Sequence, residues 1–191
     1  MLLYTNMFKT KTNEFGIPQI VERNCGNCTL CCFLPEIGDR GFEKPIFTSC
    51  KFCKVGKGCT NYESRPQGCK DFSCMWKMTA LHESSRPDKT GIMIDLWPMN
   101  NGGKSGHSFA IWESKEGVFK RNRKKFEEAV KFCINYYDFK YPIILVRPNN
   151  VRTIYVHNSQ SSPIKVGEKI MMDGKETIAR CIDNILTDIE N

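Results

Sequence analysis

The stretch Cys25-Gly26-Asn27-Cys28-Thr29-Leu30-Cys31-Cys32 decides how the chain is read. Cys-x2-Cys is the spacing at which a tight backbone turn aims two thiolates at one ion, and Gly26 eases that turn. Further along, Cys50-Lys51-Phe52-Cys53 repeats the spacing, followed by Cys59, Cys69 and Cys74. Of the 11 cysteines, only Cys133 and Cys181 lie outside this region. Residues 25–75 also carry many Gly, Lys and Pro and few aliphatics. Such a segment cannot bury enough apolar surface to offset its conformational entropy, so something other than a hydrophobic core must fix it.

Two Cys-x2-Cys pairs from separate loops can complete a tetrahedral thiolate site, with Zn–S near ~2.3 Å. Lys54, Lys57 and Lys70 are placed to offset thiolate charge. The thiols could form two four-thiolate zinc sites with one spare, or one cluster plus structural thiols. Cys25-x2-Cys28-x2-Cys31 also begins like a ferredoxin run, whose next cysteine falls four residues on and precedes proline. Position 35 is Pro35 itself, so the run departs from that pattern, although a remote cysteine such as Cys69 could supply the fourth ligand. Zinc is the first reading and an iron–sulfur cluster the second, ahead of disulfides or free thiols. The side chains of adjacent Cys31 and Cys32 are expected to diverge. Cys133 and Cys181 fall on or beside apolar stripes and read as buried structural cysteines.

The match to a known pattern runs well past Cys32. It continues through Cys50-x2-Cys53-x2-Gly56-x-Gly58-Cys59-x2-Tyr62-x2-Arg65-Pro66-x2-Cys69-x2-Phe72-x-Cys74-x-Trp76, and then Arg86-Pro87-Asp88-Lys89-x-Gly91. Over residues 22–97 the chain resembles the cysteine-cluster family of zinc- or iron-chelating domains with the Cys-x2-Cys-x2-Cys-Cys signature. The resemblance implies metal chelation by Cys25, Cys28, Cys31, Cys32, Cys50, Cys53, Cys59, Cys69 and Cys74. It names a site and not a reaction, and residues 98–191 gain no function from it. Within the motif, Tyr62, Phe72 and Trp76 read as a small hydrophobic shell. Arg65 reads as a donor to a loop carbonyl or a thiolate.

The 191 residues divide into an N-terminal arm (1–24) with a turn at Gly16-Ile17-Pro18, a cysteine module (25–91) and an α+β portion (92–191) packed on the module as one unit. The expected class is α+β: a metal-stabilised, loop-rich cysteine cluster followed by a small antiparallel sheet with two helices. Ile92–Trp97 and Ser108–Glu113 read as strands around a turn-rich loop at 100–106. Tyr141–Val146 and Val151–Val156 read as a hairpin. Ile164–Met172 adds a strand that ends at an Asp173-Gly174 turn. Apolar residues from Phe119 to Tyr137 recur at helical spacing, and Ile178, Ile182, Ile185 and Ile189 read as one stripe of a C-terminal helix.

The remaining motifs have plainer readings. Gly103-Lys104-Ser105 has Pro98 where a phosphate loop needs glycine, and a strand follows it, so it reads as a hairpin loop. His82, His107 and His157 are isolated, with His82 nearest the cluster. No nucleophile–base arrangement or dinucleotide fingerprint is present, and closed thiolate sites leave no open position for a substrate, which disfavours a metal-dependent hydrolase. The net charge is +7, and its densest run is Lys120, Arg121, Arg123, Lys124 and Lys125. These read first as a solvated helix face, with phosphate or partner contact, extended by Lys9 and Lys11, as the sharper alternative. No apolar run reaches the ~20 residues that span a bilayer, and the apolar N-terminus is too short for a signal peptide. A cytoplasmic metal-binding module that presents a surface to a protein partner is the expected function. An iron–sulfur redox protein or enzyme and a nucleic-acid-binding zinc module are the alternatives.

Overall fold

The apolar residues within 92–99 and 109–112 alternate between two apolar environments, and the strands that carry them, Ile92–Asn101 and Lys104–Glu113, form the longest ladder among the described residues, from Ile92↔Glu113 to Asn101↔Lys104. The strands therefore run through most of the expected loop at 100–106, and Lys104 and Ser105 are strand residues. The computed structural model describes residues 11–12, 18–19, 23–79, 81–101, 104–136, 141–159, 162–172 and 174–190. The readings placed on Gly16-Ile17, Lys9, Gly103, Tyr137 and Asp173 lie outside the described residues.

The elements in order are β1 (Lys11–Thr12), β2 (Pro18–Gln19), β3 (Ile37–Asp39), β4 (Phe42–Lys44), β5 (Cys53–Lys54), β6 (Gly58–Cys59), α1 (Gln67–Asp71), α2 (Met75–Met78) and α3 (Pro87–Thr90). There follow β7 (Ile92–Asn101), β8 (Lys104–Glu113), α4 (Val118–Arg121), α5 (Arg123–Tyr136), β9 (Ile143–Arg147) and β10 (Val151–Val156). The chain closes with β11 (Lys169–Met172), β12 (Lys175–Ile178), β13 (Arg180–Cys181) and α6 (Ile185–Asp188). The class is α+β, with the cysteine-rich loops preceding a five-stranded sheet of order β13-β10-β9-β8-β7.

That sheet is mixed, not purely antiparallel: β8 pairs with β9 and β10 with β13 in parallel. The cause is the connection. α4 and α5 carry the chain back along the sheet before β9, and a helical crossover returns a strand in the same direction. The expected helix from Phe119 is broken at Asn122, which leaves helical geometry and donates from Nδ2 to the Thr90 carbonyl at 2.7 Å.

Side-chain alternation gives the sheet two buried faces. On one, Ile92, Ile94, Phe109, Ile111, Ile143, Leu145 and Tyr155 pack against α5 through Phe126, Ala129, Val130 and Cys133, and against Ile182, Ile185 and Ile189. On the other, Met93, Ala110, Trp112, Ile144, Val146, Ile154 and Val156 receive Leu34, Cys74 and Trp76 of the cysteine module. The module and the sheet thus share a core. An aromatic seam joins them: Phe33 meets Phe47 edge-on at 6.0 Å, and Phe47 meets Trp112 at 5.9 Å. Phe47 sits at φ +50, a costly backbone for a bulky residue that the seam holds in place.

The C-terminal stripe does not form one helix. Ile178 lies in β12 and is 53% exposed, opposite Lys169 of β11. Residues 175–181 find backbone partners in β11 and β10, which outcompete helix formation. Only Ile182, Ile185 and Ile189 bury together, on a 3-10 turn that leads into α6. The expected strand at 164–172 is shorter, Lys169–Met172. No helix of the described residues is long and apolar enough to cross a membrane.

Candidate metal centre

Both Cys-x2-Cys segments close as hydrogen-bonded turns. Cys28 N donates to the Cys25 carbonyl at 3.1 Å, and Cys53 N to that of Cys50 at 2.9 Å. Gly26 takes φ +58 in the first turn and donates to Asn24 Oδ1 at 2.7 Å. A 3-10 turn over Leu30–Cys32 follows. Cys50 N then donates to the Cys32 carbonyl at 2.9 Å, which stitches the second cysteine turn to the first run. Cys59 is cross-strand partner to Cys53 in the β5–β6 hairpin. Cys69 rides on α1, whose Gly68 N is held by Asp39 Oδ2 at 2.7 Å.

The thiols fall into two groups. In the larger, the Cys32 thiol hydrogen-bonds to those of Cys31 and Cys53, and Cys50, Cys59 and Cys69 lie within electrostatic reach. Adjacent Cys31 and Cys32 therefore share a group and do not diverge, because the 3-10 turn brings them together. In the smaller, Cys74 is coupled to Cys25 and Cys28. Cys74 is buried at the sheet, where Asp95 is also close enough to act on it.

Several donors already point at sulfur. The Cys28 thiol accepts from the backbone N–H groups of Leu30 and Asp88, Cys53 from the Thr29 side chain, and Cys74 from the Lys77 backbone. Such bonds favour thiolate, and a bound cation adds to that preference. Without one, burial dominates: it raises the thiols of Cys28, Cys53 and Cys69 and pushes Cys74 up to about 12. Cys32 is raised further, first by donating to Cys31 and then by burial.

All nine thiols are free of disulfides. Among the described residues, no group of three or more His, Cys, Asp or Glu side chains is arranged to hold a metal ion. The donor chemistry fits a soft ion, while ligation requires the thiols to reorient.

Two residues that sequence reasoning missed, Lys44 and Arg23, hold the module, and a third, Asp95 of β7, lies close enough to act on Cys74. Lys44, not Lys54, Lys57 or Lys70, is the buried cation among the thiols. Its ammonium donates to the carbonyls of Phe33 at 3.2 Å, Pro45 at 3.1 Å and Thr48 at 3.1 Å, and to that of Pro35. Burial lowers its pKa, and the charges of Cys50, Cys32, Cys69 and Cys31 oppose that shift. Arg23, at the end of the arm, donates to the carbonyls of Trp76 and Leu81 at 2.6 and 2.8 Å and stacks on Trp76. Asp95 is the one acid in an apolar strand; burial pushes its carboxyl up to about 7.

Arg86 and Asp88 of the downstream motif pair with each other, and Arg86 reaches Asn27 Oδ1 in the first cysteine turn at 3.1 Å. Arg65 donates to the Tyr62 carbonyl at 2.8 Å. Trp76 is buried and Phe72 packs against the same apolar cluster, but Tyr62 is 54% exposed, stacked under Arg65, and belongs to no shell. His82 caps the turn at 83–85 by accepting from Ser84 N at 3.1 Å. Cys133 is buried on α5, whereas Cys181 is half-buried on β13 with its thiol 3.6 Å from Asp183 Oδ2.

Most of the basic run is engaged within the chain. Lys120 donates to the Glu190 carbonyl and Arg121 to that of Glu116, Arg123 pairs with Glu127 and Glu190, and Lys125 with Glu128. Lys124 is exposed. No protein-family model, curated protein or solved structure matches the chain. The resemblance to the cysteine-cluster family rests on the residues quoted for it.

Proposed function

We propose that this protein binds metal, zinc in the first instance, through its cysteine module, and that the ion is a structural clamp presenting a surface to a protein partner. One observation carries the reading: two Cys-x2-Cys turns, stitched by the Cys50–Cys32 backbone bond, gather nine unpaired thiols in a segment with almost no core. Cys31, Cys32, Cys50, Cys53, Cys59 and Cys69 supply more than the four thiolates one zinc ion needs. Cys25, Cys28 and Cys74 form a second, smaller donor set. When bound, the ion supplies cross-linking and charge neutralisation. The chain's own part is to orient sulfur through the Leu30, Asp88 and Lys77 N–H groups. Unpaired thiols in this number suit a reducing compartment such as the cytoplasm. Val55, 82% exposed at the tip of the β5–β6 hairpin, is the kind of apolar group such a clamp would offer a partner.

Metal analysis of freshly, anaerobically purified protein tests the proposal. Stoichiometric zinc supports it. Iron with absorption near ~400 nm would move the reading to an iron–sulfur redox protein. Protein with neither metal, and with its cysteines paired as disulfides, overturns it. Nucleic-acid contact is not part of this reading, because four of the five cations of the basic run are bonded within the chain.

A further inference from the structure

Between the cysteine module and the sheet lies a cavity of about 400 Å³, inside the ~300–1,000 Å³ range of small-molecule sites. Its walls are aromatic: Phe72 comes from the module, and Trp97 and Trp112 from the sheet, their rings 5.2 Å apart and edge-to-face. Asp95, only 7% exposed, also lines the cavity. Asp95 Oδ1 accepts from Leu96 N at 2.7 Å and Oδ2 from Trp97 Nε1 at 3.0 Å. Each oxygen keeps a lone pair, and no cation pairs with this carboxylate among the described residues. Buried carboxylates are ordinarily paired, so a group left in this state on a cavity wall is positioned to receive a charge from outside the chain.

The rest of the lining selects the sign of that charge. Glu36 and Asp71 stand exposed on the same cavity and add two further negative groups. On the positive side are Arg152 and His107. Arg152 lies over the Trp97 ring at 5.0 Å and donates to Asn150 Oδ1 at 3.0 Å, so its guanidinium is committed to the wall. His107 packs edge-on against Tyr141. Trp112 is fully buried, and its indole N–H has no acceptor among the described residues. Aromatic faces around an unpaired carboxylate are the combination that binds organic ammonium groups.

We propose that this cavity is a binding site for a small organic amine, with the ammonium on Asp95 and an apolar or aromatic body between Phe72, Trp97 and Trp112. The site does not depend on which metal the module holds, and it is tested on the protein as purified.

Phenethylamine and phenylacetate, similar in shape and opposite in charge, are titrated into the full chain at about pH 8, above the raised pKa of Asp95, where its carboxyl is ionised. Binding is followed by calorimetry and by the fluorescence of Trp97 and Trp112. Phenethylamine is expected to bind saturably and to perturb the fluorescence, and phenylacetate to do neither. Asp95→Asn should weaken the amine at least about tenfold, the loss expected for a charge-assisted bond. The rim pair Glu36→Gln with Asp71→Asn, both exposed and compatible with folding, should weaken it by a smaller factor of about two to five, as screened charges do. Equal binding of the two compounds, no saturable binding of phenethylamine, or unchanged affinity in either a folded Asp95→Asn variant or the rim variant would overturn the assignment.

Discussion

Among residues 25–73 only Leu34, Lys44 and Cys50 are buried, and one of the three is a lysine. In β9, by contrast, Ile143, Ile144, Leu145 and Val146 are all buried, because the strand lies at the centre of a sheet covered on both faces. The two halves are held by different forces. The sheet and its helices form by removing apolar area from water. The cysteine half hangs on hydrogen-bonded turns, the Lys44 ammonium among loop carbonyls and, in our reading, a metal–thiolate clamp. A half whose few buried side chains only dock it onto the sheet is, in our reading, specified internally by its ligands.

The largest expected effect follows from removing one of those ligands. Cys28→Ser and Cys69→Ser should each lower bound zinc and disorder the module, whereas Cys133→Ala should leave zinc content unchanged and cost about 1 kcal/mol as a packing defect. Elemental analysis with thermal melts checks both. Equal losses in all three variants would erase the distinction between the halves.

Lys44→Ala comes next. It strands four carbonyls that the ammonium serves, and should cost roughly 2–3 kcal/mol. Limited proteolysis should show the damage as new cleavage within residues 33–48, with the sheet resistant.

Asp95 sharpens the boundary between the two halves. Its carboxyl is raised to about 7 from an ordinary 3.8, so the folded protein holds a proton there that the unfolded chain gives up. Stability from this group is therefore full below about pH 4 and is lost as pH rises through 7. Relative to Asp95→Asn, the wild type should lose roughly 2 kcal/mol between about pH 5.5 and about pH 8. Paired urea melts at the two pH values measure the difference.

The smallest effect belongs to Lys124. Reversing this exposed charge should leave the melting temperature unchanged, while reversing Arg123, which bridges Glu127 and Glu190, should lower it slightly. Tight, steeply salt-dependent binding of nucleic acid that Lys124→Glu abolishes would favour the phosphate-contact reading.

The strands of the sheet were legible because alternation and β-branched runs are local: β7, β8, β9 and β10 all include the expected stretches, though β7 and β8 extend into the expected loop and β9 starts at Ile143. The mixed pairing was not, since strand direction depends on a crossover through α4 and α5 that no strand encodes. The isoleucine stripe from Ile178 misled for a related reason. Spacing of three and four residues fits a helix, but it also fits a strand end followed by a turn, and backbone partners in β11 and β10 decided between them. In the site, the cysteine turns were readable from spacing. Lys44 was not, because a lysine is buried only when distant loops supply carbonyls for it. Tyr62 carried an aromatic signal, yet the module has no interior at that point to receive it. Asp95 left a trace, a single acid inside an apolar strand, which marks a buried polar group before its surroundings are known.

The central claim is that metal, not burial, holds the cysteine half. Amide exchange mapped along the chain at neutral pH, with and without a strong chelator, tests it most directly. Structural zinc contributes on the order of 10 kcal/mol of apparent folding free energy. Residues 25–75 should therefore lose protection when the ion is removed, while β7 to β10 and α5 keep theirs. Protection of residues 25–75 that is the same in metal-free and metal-loaded protein would contradict the account.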